Sequence, residues 1–341
     1  MAEPSNNKFG RKLLAAFCII LAIILLVGLA ALIFVNNWLN KIPRATEPAT
    51  LSSEELLNIE NETDPYDSNF TGPVLDPLEI TWGTVPTDLV GTEENIINIL
   101  LIGQDRREGE GRQRSDTMVL LTINVEKKTV TLTSFLRDLY VQIPGYQPNR
   151  LNVPYAIKGM SLLDKTLELN FGIHVDGNVE VDFSGFKKII DLVGGVDIEL
   201  NKAEVNLMTK HGKIPGLSVG LNHLDGTAAL YYARIRYIDS DFQRTNRQRN
   251  VLTAIFNKCK TMSYSQIMNM VEESIGLVTT DLTNIEIMKY AVALVPMIGD
   301  MQVKTLRIPA DGAYSNAIIN GMYVLVPNLE ANRKLLIDSL T

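Results

Sequence analysis

The sequence predicts an α/β protein, with a mixed β-sheet covered by helices on both faces, preceded by one transmembrane helix and an acidic linker. Three observations lead to this prediction. An uncharged run of 23 residues, Leu13–Val35, lies near the N-terminus, and an acidic stretch with several prolines follows it. From Asn95 onward, short apolar runs alternate irregularly with amphipathic segments, which favours a sheet packed between helices.

The uncharged run is long enough to cross a bilayer, since at ~1.5 Å per residue it spans the ~30 Å hydrocarbon core. Trp38 follows it, and tryptophan is frequent at the membrane interface. The alternative is a cleaved signal peptide, but that would have a shorter apolar core, with small residues after it rather than within it. We therefore predict an uncleaved signal-anchor over residues 13–38.

Orientation follows from the basic residues before the span, Lys8, Arg11 and Lys12. The positive-inside rule then predicts a cytoplasmic tail of residues 1–12, a single pass through the cell membrane and an extracellular remainder.

The composition predicts an acidic, proline-containing extracellular linker over residues 39–94 and a folded domain over residues 95–341. Between Ala45 and Asn95 there are twelve Asp or Glu and no Lys or Arg, so this stretch accounts for the net charge of −7. The rest of the chain is nearly balanced, with no broadly basic surface for nucleic acid.

Periodicity and capping residues place the elements of the domain. The predicted strands are Ile96–Ile102, Thr117–Asn124, Thr129–Leu136, Val175–Val181, Val196–Leu200 and Met301–Ile308, the second and third forming a hairpin. The predicted helices are Ser161–Asn170, a segment capped by Asp182 that runs to Val193, Gly226–Ala233 capped by Asp225, Gln243–Lys260, Gln266–Ile275, Asn284–Val295 and Asn328–Leu340.

Arginine is concentrated between Arg234 and Arg249, where five arginines lie within sixteen residues. Arg234 and Arg236 share one side of an extended segment, while Arg244, Arg247 and Gln248 share one face of a helix that Asp241 could cap. Converging guanidinium groups beside a helix N-terminus predict a site for a multiply charged anion, most plausibly phosphate. The alternative is a surface helix whose arginines form salt bridges.

Two aspartates and an arginine lie at predicted strand ends. Asp105 follows the first strand, Asp116 opens the second and Arg137 follows the third, with Asp138 next to it. A pair of carboxylates with substrate phosphates suits Mg²⁺, so these residues beside the arginines predict a metal-assisted pyrophosphate site. Ordinary loop aspartates and a surface ion pair are the alternatives.

Several separated motifs, in order, resemble those of the LytR-CpsA-Psr family. They are N-I-L-L-I-G-Q-D-R-R (98–107), R-S-D-T-M (114–118), S-F-L-R-D-L-Y-V-Q-I-P-G (134–145), V-D-F-S-G-F-K-K-I-I-D-L-V-G-G-V-D (181–197), L-N-H-L-D-G-T-A-A-L-Y-Y-A-R-I-R (221–236), D-F-Q-R-T-N-R-Q-R (241–249) and V-L-V-P-N-L-E-A-N-R (324–333). The resemblance covers roughly residues 95–341.

The resemblance implies a phosphotransferase that moves a glycopolymer, such as a teichoic acid or capsule chain, from a polyprenyl-pyrophosphate carrier to cell-wall peptidoglycan through a phosphodiester. It implies Mg²⁺ as cofactor, with Mn²⁺ as an alternative, held by Asp105 and Asp116. It implies a pyrophosphate site made of Arg114, Arg137, Arg234, Arg236, Arg244, Arg247 and Gln248, with the carrier tail between sheet and helices. Asp138 and Asp241 are the candidates for the general base.

The chain departs from the common family pattern at three places. Leu139 replaces a threonine, Arg249 replaces a glutamine, and the segment between Arg236 and Asp241 is short. We expect Arg249 to be an ordinary surface residue.

Other functions compete with the transferase. A pyrophosphatase would use water in place of the sugar hydroxyl, and a scaffold protein would bind the polyprenyl phosphate without turnover. A transcriptional attenuator is disfavoured because the domain is predicted to lie outside the cell and carries no DNA-reading motif.

Overall fold

The computed structural model describes residues 35–46, 56, 72–86, 89–104, 114–236 and 238–340. These residues belong to two compact units, which divide between Ile42 and Pro43. In the first unit, residues 35–39 are helical. Among the described residues, no helix combines the length and the apolar character needed to cross a membrane. The predicted anchor, residues 13–38, lies outside the described residues apart from residues 35–38.

The second unit contains twelve described strands and eight described α-helices. The strands are β1 (Ile96–Gln104), β2 (Ser115–Asn124), β3 (Thr129–Phe135), β4 (Tyr140–Val141), β5 (Asn149–Arg150), β6 (Gly177–Asp182), β7 (Val196–Leu200), β8 (Gly220–Leu224), β9 (Val278–Thr280), β10 (Gln302–Ile308), β11 (Tyr314–Ile319) and β12 (Met322–Pro327). The helices are α1 (Val153–Phe171), α2 (Phe183–Leu192), α3 (Lys202–Lys210), α4 (Gly226–Ala233), α5 (Asp241–Thr261), α6 (Tyr264–Ser274), α7 (Asn284–Leu294) and α8 (Leu329–Leu340).

Six strands form a mixed sheet in the order β10-β3-β2-β1-β6-β9. The pairs β1–β2, β2–β3 and β6–β9 are antiparallel, whereas β1–β6 and β10–β3 are parallel. The predicted hairpin is confirmed, because β2 and β3 pair from Met118 opposite Phe135 to Asn124 opposite Thr129.

Helices cover both faces of this sheet, as predicted. Alternate residues of each strand point to opposite faces, so Leu100 and Leu120 pack against α1 and α8 on one side. Ile99 and Val119 belong to a separate cluster that includes residues of α5 and α7. A third cluster packs the four helices α2, α3, α4 and α5 against the β7–β8 hairpin.

Local capping explains where several helices begin. The Asp182 carboxylate accepts from the Gly185 N–H at 2.8 Å, and the Asp225 carboxylate accepts from the Ala228 N–H at 2.8 Å, both as predicted. The prediction that Asp241 caps α5 is wrong, because Ser240 is the N-cap and Asp241 is the first helical residue. The Asp241 carboxylate instead binds Arg244.

Described parts of the predicted linker contact the domain. Val74 pairs with Ile318, Val90 pairs with Ile173, and Trp82 stacks on Tyr140 at 5.9 Å between ring centroids. The domain bounds given above remain a prediction.

Gly226 sets how closely α4 approaches α2. A Cβ atom at Gly226 would lie 2.1 Å from the Lys187 carbonyl oxygen, and the Gly226 N–H donates to the Asp191 carboxylate at 2.7 Å. We predict that Gly226→Ala lowers the free energy of unfolding by about 1–3 kcal/mol, because the two helix backbones must separate.

Gly299→Ala is the matched control, since a Cβ atom there meets no atom within 4 Å. Chemical denaturation of both variants measures the difference. Equal stability of the two variants would contradict the close packing of α2 and α4.

Candidate functional site

An apolar cavity of about 750 Å³ lies between one face of the sheet and the helices α2, α4 and α5. Its size is within the range of small-molecule sites. Side chains of the sheet and of the helices line it, among them Leu101, Val119, Val181, Phe186, Leu230 and Leu252. Such walls suit a hydrocarbon.

Five polar side chains predicted for the site line the same cavity and come from three parts of the chain. Asp116 comes from β2, Arg234 and Arg236 from the segment after α4, and Arg244 and Gln248 from α5. The structure thus brings five of the predicted site residues to one cavity.

Asp116 links two arginines. Its Oδ1 accepts from Arg137 Nη1 at 2.9 Å, and its Oδ2 lies 3.7 Å from Arg236 Nη2. Arg137 follows β3, which pairs with β2, so the sheet register brings it beside Asp116 although it is not a lining residue of the cavity. The carboxylate therefore positions two guanidinium groups at the cavity.

Arg244 is held by Asp241 through a two-point contact. Arg244 Nη1 and Nη2 lie 2.7 and 2.9 Å from the two carboxylate oxygens. Burial lowers the pKa of Arg244, and Arg137 and Arg236 add to the lowering while Asp241 opposes it. These four charges act on one another because they lie together.

Arg234 is positioned by an aromatic ring. Its guanidinium carbon lies 4.1 Å from the centroid of Phe183, which also lines the cavity. A cation over an aromatic face is stabilised without using a carboxylate. Among the described residues, six cations lie at or behind the cavity and four carboxylates accompany them, so the site has a positive excess. The cations are Arg137, Arg150, Lys187, Arg234, Arg236 and Arg244, and the carboxylates are Asp116, Asp138, Asp182 and Asp241.

Asp138 lies behind the cavity. Its carboxylate is 3.5 Å from Arg137 Nε and 3.6 Å from Nη1 of the buried Arg150. Burial raises the pKa of Asp138, against the lowering effect of Arg137. This position makes Asp138 a partner of two arginines, and it is not among the lining residues of the cavity.

Arg247 is not brought to the cavity. It is 3% exposed, its Nε donates to Glu204 at 2.8 Å, its Nη1 donates to the Ile235 carbonyl at 3.1 Å, and its Nη2 pairs with Asp239. These contacts join α5 to α3 and to the segment after α4. Arg247 therefore stabilises the packing of these elements and does not face the cavity.

The expectation that Arg249 is a surface residue is wrong. Arg249 is 7% exposed and contacts Asn246 at 3.3 Å. Burial, with a smaller contribution from Arg307, lowers its pKa to about 10. Arg249 directly follows Gln248 on α5, and a rotation of ~100° per residue points it away from the face that carries Arg244 and Gln248.

The predicted metal site is described only in part. Asp105 lies outside the described residues, and β1 ends one residue before it at Gln104, which pairs with Ser115. Within the described ranges, no group of three or more His, Cys, Asp or Glu side chains could hold a metal ion. Arg114 directly precedes β2 and is partly buried.

Some residues of the cavity were not foreseen. Phe183, Lys187 and Asp182 line it. The sequence marked them only as a capped helix and as part of the family motif 181–197, with no role in the site. The apolar strands and the run A-A-L-Y-Y of α4 were visible in the sequence. Their periodicity could not distinguish a filled core from a cavity wall.

Comparison with known proteins identifies relatives. The family model described as the LytR_cpsA_psr family matches residues 75–336. The polyisoprenyl-teichoic acid–peptidoglycan teichoic acid transferase TagT of Bacillus subtilis (strain 168) is 36% identical over 186 residues, which are 52% of this chain and 58% of TagT. The match therefore spans less than two thirds of that relative's length. The regulatory protein MsrR of Staphylococcus aureus (strain COL) is 31% identical over 230 residues, 66% of this chain and 68% of MsrR.

Solved structures agree with these sequence matches. TagT bound to LI-WTA superposes with a TM-score of 0.60 at 30% identity, covering 72% of this chain and 91% of that one. YwtF (TagT) with bound octaprenyl pyrophosphate lipid superposes with a TM-score of 0.54 at 28% identity, with the same coverage. The family model covers most of the chain, and the chain belongs to the LytR-CpsA-Psr family.

Proposed function

We propose that this protein is a phosphotransferase that moves a glycopolymer from a polyprenyl-pyrophosphate carrier onto peptidoglycan through a phosphodiester. One observation carries the proposal: an apolar cavity opens beside an excess of guanidinium groups. A ligand that matches both parts has a hydrocarbon tail and a multiply charged head. TagT is named for such a transfer, and YwtF (TagT) is solved with octaprenyl pyrophosphate, which is such a ligand.

The arginines would bind the pyrophosphate. Arg236 and Arg244 line the cavity, and Asp116 and Asp241 hold their guanidinium groups in place before the ligand arrives. Arginine forks match phosphate oxygens in geometry and charge. Preorganised cations of this kind lower the cost of charge that develops during phosphoryl transfer.

In the proposed reaction, a sugar hydroxyl of peptidoglycan attacks the phosphorus that carries the glycan. A new oxygen–phosphorus bond forms, and the bond from that phosphorus to the bridging oxygen breaks. The bridging oxygen leaves on polyprenyl monophosphate, whose added charge the arginines neutralise. The hydroxyl proton passes to a carboxylate, for which Asp138 and Asp241 are the candidates, each of them paired with arginine.

We further propose a Mg²⁺ ion, with Mn²⁺ as an alternative, on Asp116 and Asp105. Asp116 fits this role because its carboxylate lines the cavity and supplies hard oxygen ligands beside the bound phosphates. When bound, the ion would neutralise phosphate charge. Calorimetric titration of Mg²⁺ in the presence of pyrophosphate tests the assignment, and unchanged affinity in Asp116→Asn would refute it.

The domain is proposed to act outside the cell membrane, held by an anchor at residues 13–38. The uncharged run and the basic residues before it support this topology. A reporter fused to the C-terminus distinguishes the two sides, and cytoplasmic activity of the reporter would refute the proposal.

Arg236 gives the most direct test of the activity. We predict that Arg236→Ala in the full chain lowers turnover of a lipid-linked glycan by about 10²-fold or more, because a preorganised cation is lost from the phosphate site. Formation of the glycan–peptidoglycan phosphodiester and release of polyprenyl monophosphate are measured together. Lys304→Ala removes an exposed cation on β10 and is the matched control.

Wild-type turnover by Arg236→Ala would overturn the proposal. Release of polyprenyl monophosphate without an acceptor would favour a pyrophosphatase, and binding without turnover would favour a scaffold protein.

Substitution of Arg247 tests whether this arginine stabilises the fold without binding the carrier. We predict that Arg247→Ala lowers the free energy of unfolding by about 3–5 kcal/mol, because Glu204 is left buried without its partner. Replacing both residues, as Glu204→Gln with Arg247→Met, should restore part of this stability. Carrier affinity of the folded fraction should stay near that of the wild type.

Denaturation and carrier binding of the single and double variants supply the measurements. Loss of carrier affinity at unchanged stability would instead place Arg247 in the binding site.

A further inference from the structure

The segment between α3 and β8 packs against the apolar wall of the cavity. The Gly212 N–H donates to the Leu207 carbonyl at 3.2 Å, and Leu207 lines the cavity. A Cβ atom at Gly212 would lie 3.0 Å from the ring of Tyr231, another lining residue. Residues 211–221, from the end of α3 to the second residue of β8, are here called the α3–β8 loop. They are therefore continuous with the part of the site that suits hydrocarbon.

This loop exposes large apolar side chains. Val219 is 64% exposed and Leu221 is 73% exposed. They flank Gly220, so the two exposed apolar side chains lie close together in the chain where the loop enters β8. Ile214 and Leu217 of the same loop are partly buried and pack on the cluster formed by α2 to α5 and the β7–β8 hairpin. The loop is thus fixed at its base and apolar at its outer surface.

Charge around the loop is positive, in contrast to the acidic chain as a whole. Lys210 and Lys213 are exposed at its start, and Lys202 is exposed on α3. From Asn201 to Leu224 the sole acidic residue is Glu204, which is buried against Arg247. Two exposed carboxylates of β7 lie beside the patch. Glu199 is opposite Leu221 in the β7–β8 register, and Asp197 is opposite His223 and pairs with His223 and Lys258.

We propose that the α3–β8 loop lies on the bilayer surface, with Val219 and Leu221 among the acyl chains and the lysines at anionic headgroups. Exposed apolar residues flanked by lysines are the composition of interfacial segments. The occupant is a membrane because the loop adjoins the cavity wall. That cavity has the size of a drug-like ligand site, so most of a long polyprenyl tail would remain in the bilayer.

This inference rests on the proposed function, and its test separates the two. The full chain is placed in nanodiscs of phosphatidylglycerol and phosphatidylcholine, in a background of Cys18→Ser and Cys259→Ala. A fluorophore is attached at Ser218→Cys, and quenching by spin-labelled lipid is measured without any substrate. Ser315→Cys, an exposed serine on β11, is the matched control position.

We expect quenching at position 218 and none at position 315. Equal signals at both positions, whether quenched or not, would overturn the proposal.

The second arm measures turnover with Val219→Ser/Leu221→Ser. We expect turnover of carrier embedded in nanodiscs to fall about tenfold, because the apolar contact with lipid is lost, and turnover of carrier in detergent micelles to be unchanged. Ile285→Ser/Val292→Ser removes comparably exposed side chains from α7 and should act like the wild type.

Equal loss in both double variants, or no loss in the first, would overturn the assignment to the loop. If the wild type turns over neither form of the carrier, the proposed function fails, while the quenching result still decides the membrane contact.

Discussion

The site depends on holding several guanidinium groups together beside apolar walls. Like charges at close range repel, and burial removes the water that would screen them. Asp116 offsets this repulsion between Arg137 and Arg236, and Asp241 does so for Arg244. Because cations still outnumber carboxylates, the arrangement keeps a positive excess that a bound polyanion would complete.

The fold supplies these groups from distant parts of the chain. The register of β2 with β3 places Arg137 beside Asp116, and the close contact of α4 with α2 at Gly226 sets the helical wall of the cavity. Arg247 and Glu204 tie α5 to α3 on the other side. Arginines adjacent in sequence therefore have different tasks, because successive positions of a helix face different surroundings.

Sequence reasoning predicted what depends on local chemistry. The caps at Asp182 and Asp225, the β2–β3 hairpin and the placement of Arg236 and Arg244 at one site all follow from patterns within short windows. It missed features that depend on tertiary contacts. Arg249 is buried although its neighbours suggested a surface, and Asp241 binds a side chain rather than a helix N-terminus.

The cavity itself was the least predictable feature. A strand that lines a cavity has the same apolar pattern as a strand in a filled core. Only the distance between the sheet and the helices shows that a ligand fits between them. β8 and the α3–β8 loop were likewise absent from the predictions, although β7 was predicted. β8 exposes Leu221 and buries Asn222, which inverts the alternation that a pattern would show.

The central claim is that the arginines and the apolar cavity bind two ends of one ligand. Calorimetry with a short-chain prenyl pyrophosphate, inorganic pyrophosphate and the matching prenyl alcohol tests this directly. The account predicts that the joined ligand binds at least about 10²-fold more tightly than either part, since linking avoids a second loss of freedom. It also predicts that the joined ligand displaces both parts. Simultaneous, independent binding of the joined ligand and either part would contradict it.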